Sequence, residues 1–251
     1  MQLKLAGKGT VWRTQLRQRL IVISAGILML SLQSAAADMT DSEFEERLRT
    51  YLLAHPELIL EAMEALSKKE TRAAQSALIA QYADMFEETP TLGIGPKAAE
   101  HTVIEFFDYR CAPCKALHPK LQAALNDHPN IRVEMRHLPI LSPGSERGAR
   151  FALAAKNIGN PEQYRAVHEA LWALKGPLHE PTFEKIALVQ ELDWATLKAE
   201  MQSDSVSARI DTNRDIAIDL QILGTPAFVT PTSVSFGSTD AKGLVADWVN
   251  Q

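Results

Sequence analysis

The stretch Val103-Ile104-Glu105-Phe106-Phe107-Asp108-Tyr109-Arg110-Cys111-Ala112-Pro113-Cys114-Lys115 decides how the chain is read. Its first five residues form a β-rich run broken by one carboxylate and predict a strand. A helical pattern follows from Cys111 to about Asn126, with Pro119 expected to bend it. Ile131-Arg132-Val133-Glu134-Met135 alternates like a second strand. Strand, helix and strand imply a parallel pair joined by a crossover. The two cysteines of the chain therefore stand where a strand ends and a helix begins. Unpaired first-turn N–H groups and the helix dipole favour a thiolate at such a place. Cysteine pKa values there fall from about 8.5 to about 3.5–7.5. Arg110 and Lys115 push the same way, and Asp108 pushes back. Two intervening residues bring both sulfurs within bonding range on one turn. Cys111 is expected to be exposed and nucleophilic, with Cys114 one turn deeper and placed to resolve a mixed disulfide.

Other uses of the pair stay open at the level of sequence. A structural disulfide would close too short a loop to remove much unfolded-state entropy. A structural zinc site needs about four ligands, and only His118 is nearby in sequence. Two thiolates suit Cu(I), so copper sequestration by Cys111 and Cys114 is the alternative function. No cofactor is expected.

The rest of the chain sets the context. With 251 residues, 46% of them apolar and 23% charged, it is an ordinary globular composition rather than a disordered or collagen-like one. The net charge of −5 gives no electrostatic reason to bind nucleic acid. Residues 1–37 contain no Asp or Glu but carry Lys4, Lys8, Arg13, Arg17 and Arg19. An apolar stretch, Leu20 to Leu32, and Ala35-Ala36-Ala37 follow, in the order of a cleavable secretory signal; an uncleaved anchor is the other reading. Beyond it no apolar run reaches the roughly 18 residues of a membrane span. Export to a bacterial periplasm, an oxidising compartment, makes redox chemistry the first reading of a cysteine pair.

Residues 38–90 form a helical region. Ser42 with Glu45 reads as a capping box for a helix over 40–54, with Phe44, Leu48, Tyr51 and Leu52 on one face. His55-Pro56 ends it. A second helix from Pro56 to about Phe86 would be roughly 45 Å long, with Ile59, Met63 and Leu66 in its apolar stripe. Such a helix either meets another subunit, making a homo-oligomer, or is a solvated linker. Thr89-Pro90 and Gly93-Ile94-Gly95-Pro96 mark a boundary by turn chemistry. Residues 144–222 read as almost wholly helical. Ala227-Phe228-Val229 and Ser233-Val234-Ser235-Phe236 read as two short strands, and Ala241 to Val249 as a closing helix. His55, His128, His168 and His179 are expected at the surface. His137 ends a strand and is expected to pack or cap, and Trp172, Trp194 and Trp248 to join the core.

The quoted stretch, with Gly224-Thr225-Pro226-Ala227-Phe228, resembles the DsbA-like thiol–disulfide oxidoreductases over residues 97–251. The resemblance implies an α/β thioredoxin fold with a helical domain inserted at about 144–222, preceded by the N-terminal helical segment. Residues 40–70 resemble the N-terminal region of the suppressor-of-copper-sensitivity C proteins. By resemblance, Cys111 is the attacking thiol and Cys114 the resolving one, Pro226 is a cis-proline facing the disulfide, and Thr225 presents backbone to the substrate chain. Glu105 matches an acidic residue beneath the active site. A carboxylate in an apolar strand is costly unless used, and accepting the Cys114 proton would use it; a Glu at a solvated strand end is the other reading. The implied partners are protein substrates with thiols or disulfides and a membrane redox partner. Strong oxidants of the family carry a histidine between the cysteines, where Ala112-Pro113 stands here. That difference, and Thr225, point to an isomerase or reductase rather than a dedicated oxidase.

Overall fold

A computed structural model describes residues 40–88, 92–237 and 240–250. The signal expected over 1–37 and the Thr89-Pro90 turn lie outside these. The described chain falls into two compact units that divide between Glu64 and Ala65.

Helices α1 (Asp41–Ala54) and α2 (Glu57–Ile79) open the chain. The capping box at the start of α1 is Thr40 with Glu43, not Ser42 with Glu45. Both pairs have the required spacing, and the earlier start adds residues to the helix. His55 closes α1 by donating its backbone N–H to the Tyr51 carbonyl. Phe44, Leu48, Tyr51, Ile59, Met63 and Leu66 are all exposed. The second helix ends at Ile79, short of the expected Phe86. A 3-10 turn (Ala80–Tyr82) and a short helix α3 (Asp84–Glu87) follow. Neither proline nor glycine stops α2. Tertiary packing does, by burying Ile79 and Met85 against Ile104, Phe106 and Leu138.

The sheet has five strands: β1 (Gly93–Ile94), β2 (His101–Phe107), β3 (Ile131–His137), β4 (Ala227–Val229) and β5 (Val234–Phe236). Their order is β1-β3-β2-β4-β5, with β2 and β3 parallel and the other pairs antiparallel. The residues expected as a boundary turn thus supply an edge strand. Glycine permits the approach, since a Cβ on Gly93 would stand 2.1 Å from the Val133 carbonyl oxygen. At Gly95 a Cβ would stand 2.5 Å from the Ile131 carbonyl oxygen, and its φ is +95°. The Leu92 N–H donates to Glu134, and Arg132 donates to the Gly95 carbonyl, which pins the edge.

Helix α4 (Ala112–Leu125) connects β2 to β3 and, with α10 (Ala241–Val249), covers one face of the sheet. Val103, Val133 and Phe228 meet Leu117, Leu121, Leu244 and Trp248 there. Between β3 and β4 lies the helical insertion: α5 (Pro143–Ile158), α6 (Pro161–Ala173), α7 (Glu180–Val189), α8 (Trp194–Glu200) and α9 (Asp204–Asp219). Ser142, Asn160, Asp193 and Ser203 each accept an N–H as N-caps for α5, α6, α8 and α9. The last of these helices lays Ile216 and Ala217 on the second sheet face. The others build a core around Phe151, Tyr164, Val167, Leu171 and Phe183. That core also takes in Phe107, Tyr109, Cys111 and Cys114.

Candidate active site

Strand β2 delivers the chain to Asp108, and the loop Asp108–Arg110 turns it into α4. The Asp108 carboxylate shapes this turn. One oxygen accepts the Arg110 N–H at 2.7 Å, and the other accepts the Ile140 and Leu141 N–H groups at 3.0 Å each. The Asp108 carbonyl accepts the Cys111 N–H at 3.0 Å. One side chain therefore fixes both the approach to the sulfurs and the loop after β3.

Cys111 is the N-cap of α4, and Pro113 sits within the first turn, where its missing N–H costs nothing. Cys111 and Cys114 form a disulfide with Cα atoms 5.3 Å apart. The Cys114 N–H points at Cys111 Sγ from 3.1 Å, so an unpaired helix donor addresses the sulfur that would carry charge after reduction. Cys114 is fully buried, as its deeper position predicts. The expectation of an exposed Cys111 is not met: it is 2% exposed. It packs into the core of the insertion, and the Thr225 carbonyl oxygen lies 3.2 Å from its sulfur. The Thr225–Pro226 peptide is cis, and the Thr225 hydroxyl oxygen is buried without a partner. Cys111, Cys114, Thr225 and Pro226 thus come together from positions far apart in the chain.

Glu105 stands on the face of β2 that α4 covers. Its neighbours across the sheet are Met135 and Phe228, and Val103 and Phe107 flank it along the strand. Residue 105 is mid-strand and 2% exposed, which excludes the reading as a solvated strand end. One carboxyl oxygen is buried without a partner, and burial pushes its pKa up to about 8. At neutral pH such a group holds or yields a proton readily.

The flanking cations are anchored to the insertion. Arg110 donates to the Gly176 carbonyl at 2.9 Å and Lys115 to the Leu174 carbonyl at 2.8 Å. Burial and the Arg110 charge lower the Lys115 pKa. Ile140, Leu141 and Leu223 are exposed apolar residues on the loops after β3 and before Thr225.

Two features escape the sequence reading. His168 is buried, not at the surface: its Nδ1 lies 2.9 Å from the Tyr109 hydroxyl, which lies 3.2 Å from His137 Nε2. Burial lowers both histidine pKa values, that of His168 to about 3. The signal was present, since Tyr164, Val167, His168 and Leu171 share one stripe of α6. His137 packs as expected, against Phe107 and Tyr109. The second feature is the Asp108 clamp, whose loop partners no local pattern reveals. Among the described residues no cluster of three or more His, Cys, Asp or Glu could hold a metal ion.

The sequence matches the description "DSBA-like thioredoxin domain" over residues 102–247. The chain belongs to that family. Residues 42–73 match "Copper resistance protein ScsC N-terminal domain". A thioredoxin-like oxidoreductase from Silicibacter pomeroyi DSS-3 is 32% identical, with a TM-score of 0.58 over 66% of this chain and 93% of that one. A Proteus mirabilis ScsC variant, 22% identical over 85% of this chain and 95% of its own, has a TM-score of 0.59, a likeness of fold. A curated relative, Na(+)/H(+) antiporter NhaA 1 of Salinispora arenicola, is 29% identical over 154 residues, 61% of this chain. The chain spans 23% of the length of the curated relatives it matches. Among the described residues no helix is long and apolar enough to cross a membrane. The DsbA-like domain with its helical insertion and the ScsC-type N-terminal helices agree with the fold class read from sequence. A thiol–disulfide oxidoreductase-like fold carrying a cysteine pair is established.

Proposed function

We propose that this protein is an exported thiol–disulfide oxidoreductase that exchanges disulfides with protein substrates, as an isomerase or reductase rather than a dedicated oxidase. The observation that carries this reading is the Cys111–Cys114 bond at the start of α4, with a helix N–H aimed at Cys111 Sγ and the Thr225 carbonyl beside it.

Cys111, 2% exposed in the oxidised fold, is the sulfur that an outside thiol attacks once a docking chain displaces its cover, or that attacks an outside disulfide once reduced. Cys114 leaves as a thiolate in the first case and resolves the mixed disulfide in the second. Pro226 and Thr225 hold a backbone carbonyl edge beside the reacting sulfur, where an extended substrate segment can dock. The exposed apolar residues Ile140, Leu141 and Leu223 suit non-native chains. Glu105 accepts the Cys114 proton or returns it. The direction follows from Ala112-Pro113: without a cation between the cysteines, the Cys111 thiolate loses one stabiliser and the couple is less oxidising.

Equilibration with glutathione buffers tests this. The expected potential is about −180 mV or lower, against about −120 mV for a strong oxidant, together with turnover of scrambled ribonuclease. A potential near the strong oxidant's would overturn the direction, and an inert pair would overturn the activity. Basic residues, an apolar stretch and Ala35-Ala36-Ala37 support export to the periplasm. A mature N-terminus at Asp38 in a periplasmic fraction is the expected result. A membrane protein that passes electrons to the disulfide is the partner this role requires.

The exposed apolar residues of α1 and α2 support self-association through residues 38–90. Light scattering at micromolar concentration should show an oligomer, and a monomer would remove it. A second reading, Cu(I) binding by the reduced thiolates of Cys111 and Cys114, is favoured by the copper-resistance name of the family matched over 42–73. Cys114→Ser should abolish ribonuclease turnover yet leave partial Cu(I) affinity in a chelator competition.

A further inference from the structure

A groove of about 640 Å³ runs along α4 from His118 to Asn126, and the reaction as described makes no use of it. His118 and Met135 line it, with Arg165, His168, Glu169 and Trp172 of α6 opposite. His118 follows Cys114 by four residues, so it lies one turn on along the same helix face. Its ring rests on Trp172 with centroids 4.9 Å apart, and its Nδ1 is buried without a hydrogen-bond partner. Met135 is the cross-strand neighbour of Glu105, whose own buried oxygen lacks a partner. Both orphaned atoms therefore belong to residues of one layer, between strands β2 and β3 and helix α4. The groove reaches that layer at His118 and Met135.

We propose that His118 carries protons between Glu105 and the solvent of this groove, so that the buried Cys114 thiol can ionise and regain its proton while the fold stays closed. The idea rests on the exchange chemistry proposed for the pair, but it needs only that the disulfide be made and broken. In resolution, Glu105, a carboxylic acid at rest, first passes its proton through a water within this layer to His118 Nδ1 while the ring releases its Nε2 proton to the groove. The Glu105 carboxylate so formed takes the Sγ proton of Cys114. The thiolate attacks Cys111 Sγ, the Cys111–Cys114 bond forms, and the outside sulfur leaves with its electron pair as a thiolate. Glu105 is left a carboxylic acid, as at rest, and one proton has gone to the groove. Reduction runs each transfer backwards.

Burial holds His118 below the usual histidine pKa, which keeps the resting ring neutral and able to accept. The titratable groups that share its groove are Arg165, His168 and Glu169 of α6; the others on elements packed against α4 are Cys114 and Lys115 of its own helix, Glu105 of β2 and Tyr109 of the preceding loop. The segment Leu92–Pro96 contributes none. His118 acts through Glu105 and does not touch the sulfurs' reaction partner.

The test is a single turnover. Reduced protein is mixed with excess oxidised glutathione, quenched in acid, and the Cys111–glutathione mixed disulfide is followed by mass spectrometry from pH 6 to 8. In His118→Ala the intermediate should decay on the order of tenfold more slowly than in the wild type. Added imidazole should restore the rate in proportion to its neutral form, with the reduction potential unchanged. His118→Gln, which keeps a polar side chain but cannot shuttle a proton, should be equally slow at unchanged thermal stability. A normal decay in either variant would overturn the relay, and so would a slow decay that ignores imidazole. A wild type that reacts with glutathione but turns over no protein substrate would defeat the enzymatic reading and leave this comparison intact.

Discussion

Glu105 is the residue with the most to lose from ionisation. Its folded pKa of about 8 lies above the usual carboxylate value of 4.5, so the native state binds the extra proton. Stability therefore falls as pH rises from about 4.5 to about 8, by linkage. At pH 7 the penalty is on the order of 3 kcal/mol. Glu105→Gln removes it, and urea unfolding of the oxidised protein should show the variant more stable at pH 7.5 but level with the wild type near pH 4.5. The histidines behave oppositely. His168, held at about 3, and His137, also lowered, stay neutral in the fold. Their contribution is complete above about pH 6.5 and is lost as pH falls. By pH 5 His168 alone should account for about 2 kcal/mol. Replacing it with Gln, which cannot charge, should flatten that acid limb.

Among the elements, the loops around α4 depend on one carboxylate. Asp108→Ala would leave the N–H groups of Arg110, Ile140 and Leu141 without their acceptor. These bonds are part-buried, and a typical intramolecular hydrogen bond contributes about 0.5–1.5 kcal/mol net, so a fall of about 2 kcal/mol in unfolding free energy is expected, along with a weaker hold on the apolar loop after β3. Periodicity made most elements legible. The strand at 131, the helix from Cys111 and the helical run after 144 each follow from a repeating apolar pattern or a cap. What stayed hidden was set by distant partners. The Gly93–Ile94 strand reads as a turn because its glycines serve a close approach to β3, not a bend. Helix α2 stops at Ile79 because a sheet surface waits for Met85, and no residue in the helix announces it. Among site residues, the cysteines were legible from their place between a strand and a helix and Glu105 from its break in an apolar strand, whereas the Gly224–Phe228 run was legible only through the family resemblance. Asp108 and His168 were not, because their partners arrive from other loops and helices.

At the scale of the molecule, the sulfurs lie where two cores meet. The sheet and α4 supply the frame, and the insertion supplies the wall: Tyr164, Leu171, Leu178 and Phe183 share one apolar cluster with Cys111 and Cys114. Lys115 and Arg110 fasten the same junction through carbonyls at Leu174 and Gly176. Opening the disulfide should therefore register beyond α4. Amide exchange at the end of α6 and in the loop to α7 is expected to change between oxidised and reduced protein, whereas exchange in β5 and α10 should not.

A minimal redox scaffold could not be carved from this chain by pruning. Cutting residues 144–222 down to a short crossover would leave the strands in register but unroof both thiols and strip the two cations of their anchors. A graft that moves the cysteine motif into a smaller host would need to bring that roof with it.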